Sequence, residues 1–220
     1  MIILEYLLIT QFLVEIKVCF FDNFTKIFKI NSMKICIFCS SSNSLNQHFY
    51  DEANNLAVLL AKNDCDLVYG GGKIGIMGEL SRKFKSLNRK VIGIIPEKLN
   101  LSGVVSEIDD EIMVTPDMHT RKAKMFECSD AFIALPGGFG TFEELLEVIT
   151  LKQLNYHQKP IIIINQSGFY DFIIKQFDVL FEEKFAKVTY KNLYYIASNN
   201  DEAINYLFNY KYDIHETKFL

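Results

Sequence analysis

From Met33 onward the chain alternates short unbroken apolar runs with stretches whose apolar residues recur at helical spacing. The runs Lys34–Cys39, Cys65–Tyr69, Lys90–Ile95, Glu111–Thr115, Ala131–Leu135, Pro160–Asn165 and Leu193–Ala197 are too short for ordinary helices. Most lack polar alternation, so they predict strands covered on both faces. Between them, Phe49–Lys62 places Ala53, Leu56, Ala57, Leu60 and Ala61 at helical spacing, and Phe142–Leu154 and Phe169–Phe181 behave alike. This alternation restricts the chain to an α/β fold, a Rossmann-like doubly wound parallel sheet of about seven strands with helices on both faces. Ligands of such sheets bind beyond the carboxyl ends of the strands, so the loops after the strands are the places to look for chemistry.

The chain has 220 residues, enough for one such domain. No repeat, low-complexity tract or second boundary divides residues 33–220, which are expected to form a single domain. Residues 1–32 read differently. Met1 to Phe21 is mostly apolar but is interrupted by Glu5, Glu15 and Lys17, which suits neither a spanning helix nor a signal peptide. Three readings stay open: an extra helix packed on the domain, a weak membrane anchor, or sequence upstream of the true start. Met33-Lys34-Ile35 would open a natural first strand, which favours the last, and no membrane partner is expected. A net charge of −4 implies no basic surface for nucleic acid. Five irregularly placed cysteines do not form a secreted disulfide framework, and the chain is read as cytoplasmic. Cys36 and Cys39 form a CxxC, but on a strand they point to opposite faces, as buried thiols rather than a metal or redox pair.

Four loops carry candidate chemistry. Ser40-Ser41-Ser42-Asn43 can donate hydroxyls to a phosphate or sugar, or can simply make a turn and cap. Gly70 to Gly78 contains G-x-G-x-x-G at Gly70, Gly72 and Gly75, with Glu97 after the next strand where a dinucleotide unit would place its ribose carboxylate. This turn is expected to face a phosphate. It lies on the second strand, however, and no Gly-Lys-Ser/Thr makes it a Walker loop. Pro136-Gly137-Gly138-Phe139-Gly140-Thr141-Phe142-Glu143-Glu144 reads as a glycine turn opening a helix, a geometry that suits an anion. Thr141 and Glu144 also fit a capping box, with Thr141 as N-cap. Capping does not require the three glycines before it; a ligand lying on the backbone does. Finally, in Asp117 to Met125, Arg121 and Lys122 can neutralise a phosphate or form a solvated basic helix face, and His119 reads as a cap or core residue.

Together Val68 to Gly72, Gly75 to Gly78, Met118 to Lys122 and Pro136 to Glu144 resemble the LONELY GUY family, cytokinin riboside 5′-monophosphate phosphoribohydrolases often labelled lysine decarboxylases. The resemblance implies a Rossmann-like homodimer that hydrolyses the N-glycosidic bond of purine nucleoside 5′-monophosphates, cytokinin-type or AMP, to free base and ribose 5-phosphate. It implies Arg121 and Glu144 as the catalytic pair. It implies substrate contacts from Lys122, Gly138, Phe139, Gly140, Thr141, Phe142, Glu143 and Thr150, with Gly71, Gly72 and Ser41 beside them. No metal and no organic cofactor is implied. The chain departs from the family at Ser40, where a glycine is usual, at Gly103, where a carboxylate is usual, and at Lys184-Phe185, where Gly-Phe is usual. Two other classes compete: a non-catalytic nucleotide or molybdenum-cofactor carrier on the same fold, which Gly103 favours, and a dinucleotide oxidoreductase resting on Gly70, Gly72, Gly75 and Glu97.

Overall fold

The computed structural model describes residues 32–212; the expectation attached to residues 1–31 lies outside them. Seven parallel strands form one sheet: β1 (Lys34–Phe38), β2 (Asp66–Tyr69), β3 (Val91–Pro96), β4 (Glu111–Thr115), β5 (Ala131–Ala134), β6 (Ile161–Ile164) and β7 (Tyr195–Ala197). Among the described residues, six helices of ten residues or more connect and flank them: α1 (Gln47–Lys62), α2 (Gly75–Ser86), α3 (Met118–Cys128), α4 (Phe139–Gln153), α5 (Asp171–Glu182) and α6 (Asn200–Asn209).

The spatial order is β4-β3-β2-β1-β5-β6-β7. The chain walks outward from β1 to β4, crosses back through α3 to β5 on the other side of β1, then walks outward again. This reversal opens a crevice between β1 and β5 at their carboxyl ends.

Side-chain alternation along the strands divides the core in two. Ile35, Ile37, Leu67, Tyr69, Ile133 and Ile162 pack with Leu56 and Leu60 of α1, Ile76 and Leu80 of α2, and Leu207 of α6. Cys36, Phe38, Val68, Ile94, Phe132 and Ile163 pack on the opposite face with Met125 of α3, Leu145 and Val148 of α4, and Phe177 of α5. Cys36 and Cys39 accordingly fall in different halves. Both faces being covered explains the unbroken apolar runs. All four isoleucines of β6 are fully buried, each stabilising the fold by roughly 1.5–3 kcal/mol.

Several helices stop at a residue with left-handed backbone rather than at glycine. Asp64 after α1, Asn88 after α2 and Asn155 after α4 have φ of 57°, 57° and 61°. Asp and Asn tolerate that region better than other side chains. Strand expectations agree with the structure to within two residues at each end. Helix α4 begins three residues earlier than the apolar periodicity alone indicates, at Phe139.

Candidate active site

Loops from four strand ends converge over the crevice and enclose about 560 Å³. Ser40, Ser41 and Ser42 come from β1, Gly70, Gly72 and Ile74 from β2, Leu99 and Val104 from β3, and Gly138 to Thr141 from β5. The first turn of α3 adds Met118 and Arg121, and α4 adds Glu143 and Glu144.

At the centre stands a buried ion pair. Arg121 Nη1 donates to Glu144 Oε1 at 2.7 Å, and each residue is only 6% exposed. The sheet itself holds the arginine. Even-numbered carbonyls of β3 face β2, as Leu67 N donating to Lys90 O shows. Strand β2 ends at Tyr69, whose partner is Gly93, so the Ile94 carbonyl is left for Arg121 Nε at 3.0 Å. Gly70 makes room: a Cβ there would lie 2.3 Å from Arg121 Nη2. Burial pushes the Glu144 carboxyl above its ordinary range, and Arg121 offsets only part of that. Such a pair contributes little net stability, since desolvation consumes most of the Coulomb gain. A costly buried pair in a cleft is a candidate for chemistry.

Lys122, the next residue, turns away. It pairs with Glu143 and, at 3.2 Å, with Glu147 across α3 and α4. Burial opposes its charge, but the two carboxylates outweigh that and raise its pKa. Rather than the cleft, it lines a separate apolar cavity of about 280 Å³ with Phe38, Phe126, Phe132 and Val148.

The start of α4 corrects the capping-box expectation. The N-cap is Gly138, with no side-chain cap, and Phe142 N donates to Gly138 O at 3.2 Å. Thr141 therefore sits inside the first turn, buried against Gly137, where a Cβ would lie 2.1 Å from its Oγ1. Glu144 is too deep in the helix to reach back to the cap and meets Arg121 instead. The amides at a helix start find no acceptor within the helix, and Gly138 supplies none. A Cβ on Gly138 or on Gly140 would meet nothing within 4 Å. No protein neighbour demands glycine at these two positions; both open onto the cleft.

The other glycine turn is used differently from expectation. At its helix start, Gly75 N donates to Asn43 Oδ1 at 2.8 Å and Met77 N to Ser40 O at 3.3 Å. Gly75 has φ +63°, and a Cβ there would lie 2.5 Å from the Ser41 carbonyl carbon. These amides hold the β1 loop, which occupies the place a dinucleotide pyrophosphate would need. Glu97 is exposed and does not line the cleft.

Of the residues expected to contact substrate, Ser41, Gly72, Gly138, Phe139, Gly140, Thr141 and Glu143 line the cleft beside Arg121 and Glu144. Gly71 lies beneath it, buried, with its carbonyl accepting from Ser106 N. Phe142 stacks on Phe169 and meets the edge of Tyr170. Thr150 is exposed further along α4, its hydroxyl donating to Leu146 O. His119 is exposed rather than core. Sequence reading passed over the apolar lining: Ile74, Met77, Ile95, Leu99, Val104 and Met118. Leu99 and Val104 follow a strand end, Ile74, Met77 and Met118 sit at or just inside helix starts, and Ile95 is still in β3; nothing in their chemistry singles them out. Among the described residues, no lysine lines the cleft, and no helix is long and apolar enough to cross a membrane.

Compared with known proteins, residues 77–207 match the family described as "Possible lysine decarboxylase". The cytokinin riboside 5′-monophosphate phosphoribohydrolase LOG2 of Arabidopsis thaliana is 42% identical over 177 residues, covering 80% of this chain and 83% of that protein. LOG5 of the same plant is 39% identical, covering 84% and 82%. Among solved structures, the molybdenum cofactor binding protein of Rippkaea orientalis is similar with a TM-score of 0.59 and 25% identity, covering 80% of this chain and 96% of that one. The molybdenum cofactor carrier protein of Chlamydomonas reinhardtii shares the fold, with a TM-score of 0.58 and 18% identity over 80% of this chain and 95% of its own.

Proposed function

This chain belongs to the LONELY GUY family, and we propose that it hydrolyses the N-glycosidic bond of purine nucleoside 5′-monophosphates, releasing free base and ribose 5-phosphate. The observation that carries this reading is the buried Arg121–Glu144 pair, 2.7 Å apart, lining a cleft that an uncapped helix start also lines. The first turn of α4 suits the 5′-phosphate: amides point outward, the helix dipole favours an anion, and Gly138 and Gly140 let it approach the backbone. Ser41, exposed at the same cleft, can add a hydroxyl.

Breaking the ribosyl C–N bond builds positive charge on the sugar. Glu144, one turn into α4 from the phosphate site, can stabilise that charge and take a proton from the attacking water. The water oxygen bonds to the anomeric carbon, the bond electrons leave with the base, the base takes its proton from solvent, and Glu144 returns the proton it took from water to solvent. Arg121 keeps Glu144 oriented and, where the developing charge draws on the carboxylate, keeps it ionised. Phosphate binding supplies energy remote from the bond that breaks. The decarboxylase description does not fit these residues. A pyridoxal phosphate site needs a lysine in the cleft, and the cleft lining contains none among the described residues.

The reading extends to a homodimer and a cytoplasmic location. Leu146 of α4, and Leu154 and Tyr156 just after it, are exposed, apolar area that a second copy would cover. Cys36, Cys39, Cys65 and Cys128 are all free thiols, in keeping with a reducing compartment.

Incubation of purified protein with AMP and with isopentenyladenosine monophosphate tests the proposal. Free base and ribose 5-phosphate should appear together, and Glu144→Gln should lower kcat by about 1,000-fold while leaving the folded spectrum unchanged. Tight nucleotide binding with no turnover of any purine monophosphate would instead place the chain with the non-catalytic carriers.

A further inference from the structure

The loop between β3 and β4 brings Leu99 and Val104 into the cleft wall. Its outer side is exposed at Leu101 and Gly103 and closes on itself through Val104 N donating to Leu101 O, so its position against the domain depends on inner attachments. Lys73 N donates to Val104 O and Ser106 N to Gly71 O, both at 2.9 Å. Residues Gly72 and Val105 form an isolated antiparallel bridge.

Beneath these contacts lies Asp109. One of its carboxylate oxygens accepts from Ser81 Oγ and Ser106 Oγ, each at 2.6 Å, and the other accepts from Tyr69 Oη at 2.9 Å. The three hydroxyls come from α2, from the loop and from the end of β2. A carboxylate is acceptor-only, so it can join three converging donors where a neutral side chain would leave one group unmatched. Strand β3 makes space for it: a Cβ on Gly93 would lie 2.5 Å from Asp109 Oδ2. Tyr69 directly precedes Gly70, against which the Arg121 guanidinium lies.

Resting on the phosphoribohydrolase reading, we infer that Asp109 is a positioning residue that sets the width of the cleft. By binding Tyr69, Ser81 and Ser106 at once, it fixes the Leu99–Val104 wall relative to Gly70 and Arg121 without itself touching substrate. Without Asp109 the loop keeps its backbone ties to Lys73 and Gly71, but its base is released from β2 and α2. Substrate then has to order the wall when it binds, while the Arg121–Glu144 pair, held by Ile94 and α4, is intact.

Steady-state kinetics with AMP test this. Asp109→Ala should raise KM about tenfold with kcat within about threefold of wild type. Asp109→Asn, which keeps one acceptor for the two serines, should recover most of the loss. A purely structural role would lower thermal stability and the active fraction but leave KM unmoved, so a KM within about twofold of wild type overturns the inference. If Asp109→Ala does not fold, Ser106→Ala removes one donor from the loop side; it should raise KM about threefold, and an unchanged KM is again fatal. If the wild-type protein turns over no purine monophosphate, the parent reading fails by itself. The AMP dissociation constant measured by calorimetry then replaces KM: about tenfold weakening in Asp109→Ala sustains the role of Asp109, and unchanged affinity removes it.

Discussion

Gly70 and Arg121 compete for one volume: a Cβ on Gly70 would lie 2.3 Å from Arg121 Nη2. The tip of an arginine can often swing aside, but this one is buried, tied through Nε to Ile94 O and through Nη1 to Glu144. The first glycine of the β2 turn is therefore required by the ion pair. Gly70→Ala should displace the guanidinium and lower kcat/KM by about 100-fold, with a stability loss of about 1–3 kcal/mol. Kinetics alongside a thermal melt separate the two effects. Full activity in the variant would mean that the guanidinium position is not critical.

Gly140 presents the opposite case. It stands in the first turn of α4 with open space where a Cβ would be. Alanine there costs the fold nothing and removes backbone freedom from the unfolded chain, so Gly140→Ala should be as stable as wild type or up to ~1 kcal/mol more stable. It should also bind nucleotide monophosphate about tenfold more weakly, a loss of ~1.4 kcal/mol, because the methyl group occupies the anion's approach. Unchanged affinity would move the phosphate away from this helix start.

The pH dependence of activity follows from Glu144. Burial raises its carboxyl above the ordinary 4.5, Arg121 notwithstanding. As pH falls through that raised value, Glu144 takes up a proton and can no longer accept one from water or face a cationic sugar. The acid limb of the kcat/KM profile should therefore lie above 4.5. In Glu144→Gln the residual rate should lose that limb. An acid limb at or below the ordinary value would assign it to another group.

Lys152 offers a stability prediction. It is 0% exposed, its Nζ has no hydrogen-bond partner among the described residues, and the Tyr210 ring lies 4.9 Å away. Burial lowers its pKa to about 8, against an ordinary 10.5. Below about pH 8 the lysine is charged in both folded and unfolded states, and the folded state bears the full desolvation cost. Between about 8 and 10.5 the unfolded chain holds more protons, so this group's contribution to stability rises with pH. Lys152→Met should thus stabilise the protein at pH 7 by roughly 1–3 kcal/mol, and the gain should shrink towards pH 10. Denaturant melts at several pH values check both the sign and the window.

Strands and their order class were legible because a sheet buried on both faces writes unbroken apolar runs such as Ile161–Ile164 into the chain. That Arg121 and Glu144 belong together was legible only through the motif resemblance, and the structure brings them into one buried ion pair. Spacing alone made Thr141 and Glu144 a cap, and a helix start three residues earlier, at an uncapped glycine, undid that reading. The glycines were visible as a class but not by role. Gly70 yields to a side chain, Gly75 to the Ser40–Ser41 backbone, and Gly138 and Gly140 to nothing in the protein. Those differences depend on what lies across a loop, which one-dimensional spacing does not carry. Asp109 was invisible for the same reason: its donors at Tyr69 and Ser81 are distant in sequence and ordinary in type.

The grip of the Ile94 carbonyl on Arg121 has an evolutionary reading. Because the acceptor is main chain, exchange of any residue at position 94 for another strand former leaves that anchor in place. The cleft wall at Leu99 and Val104 lies on a separate loop whose side chains do not share that anchor. A lineage can therefore reshape that wall while the guanidinium anchor is inherited with the sheet.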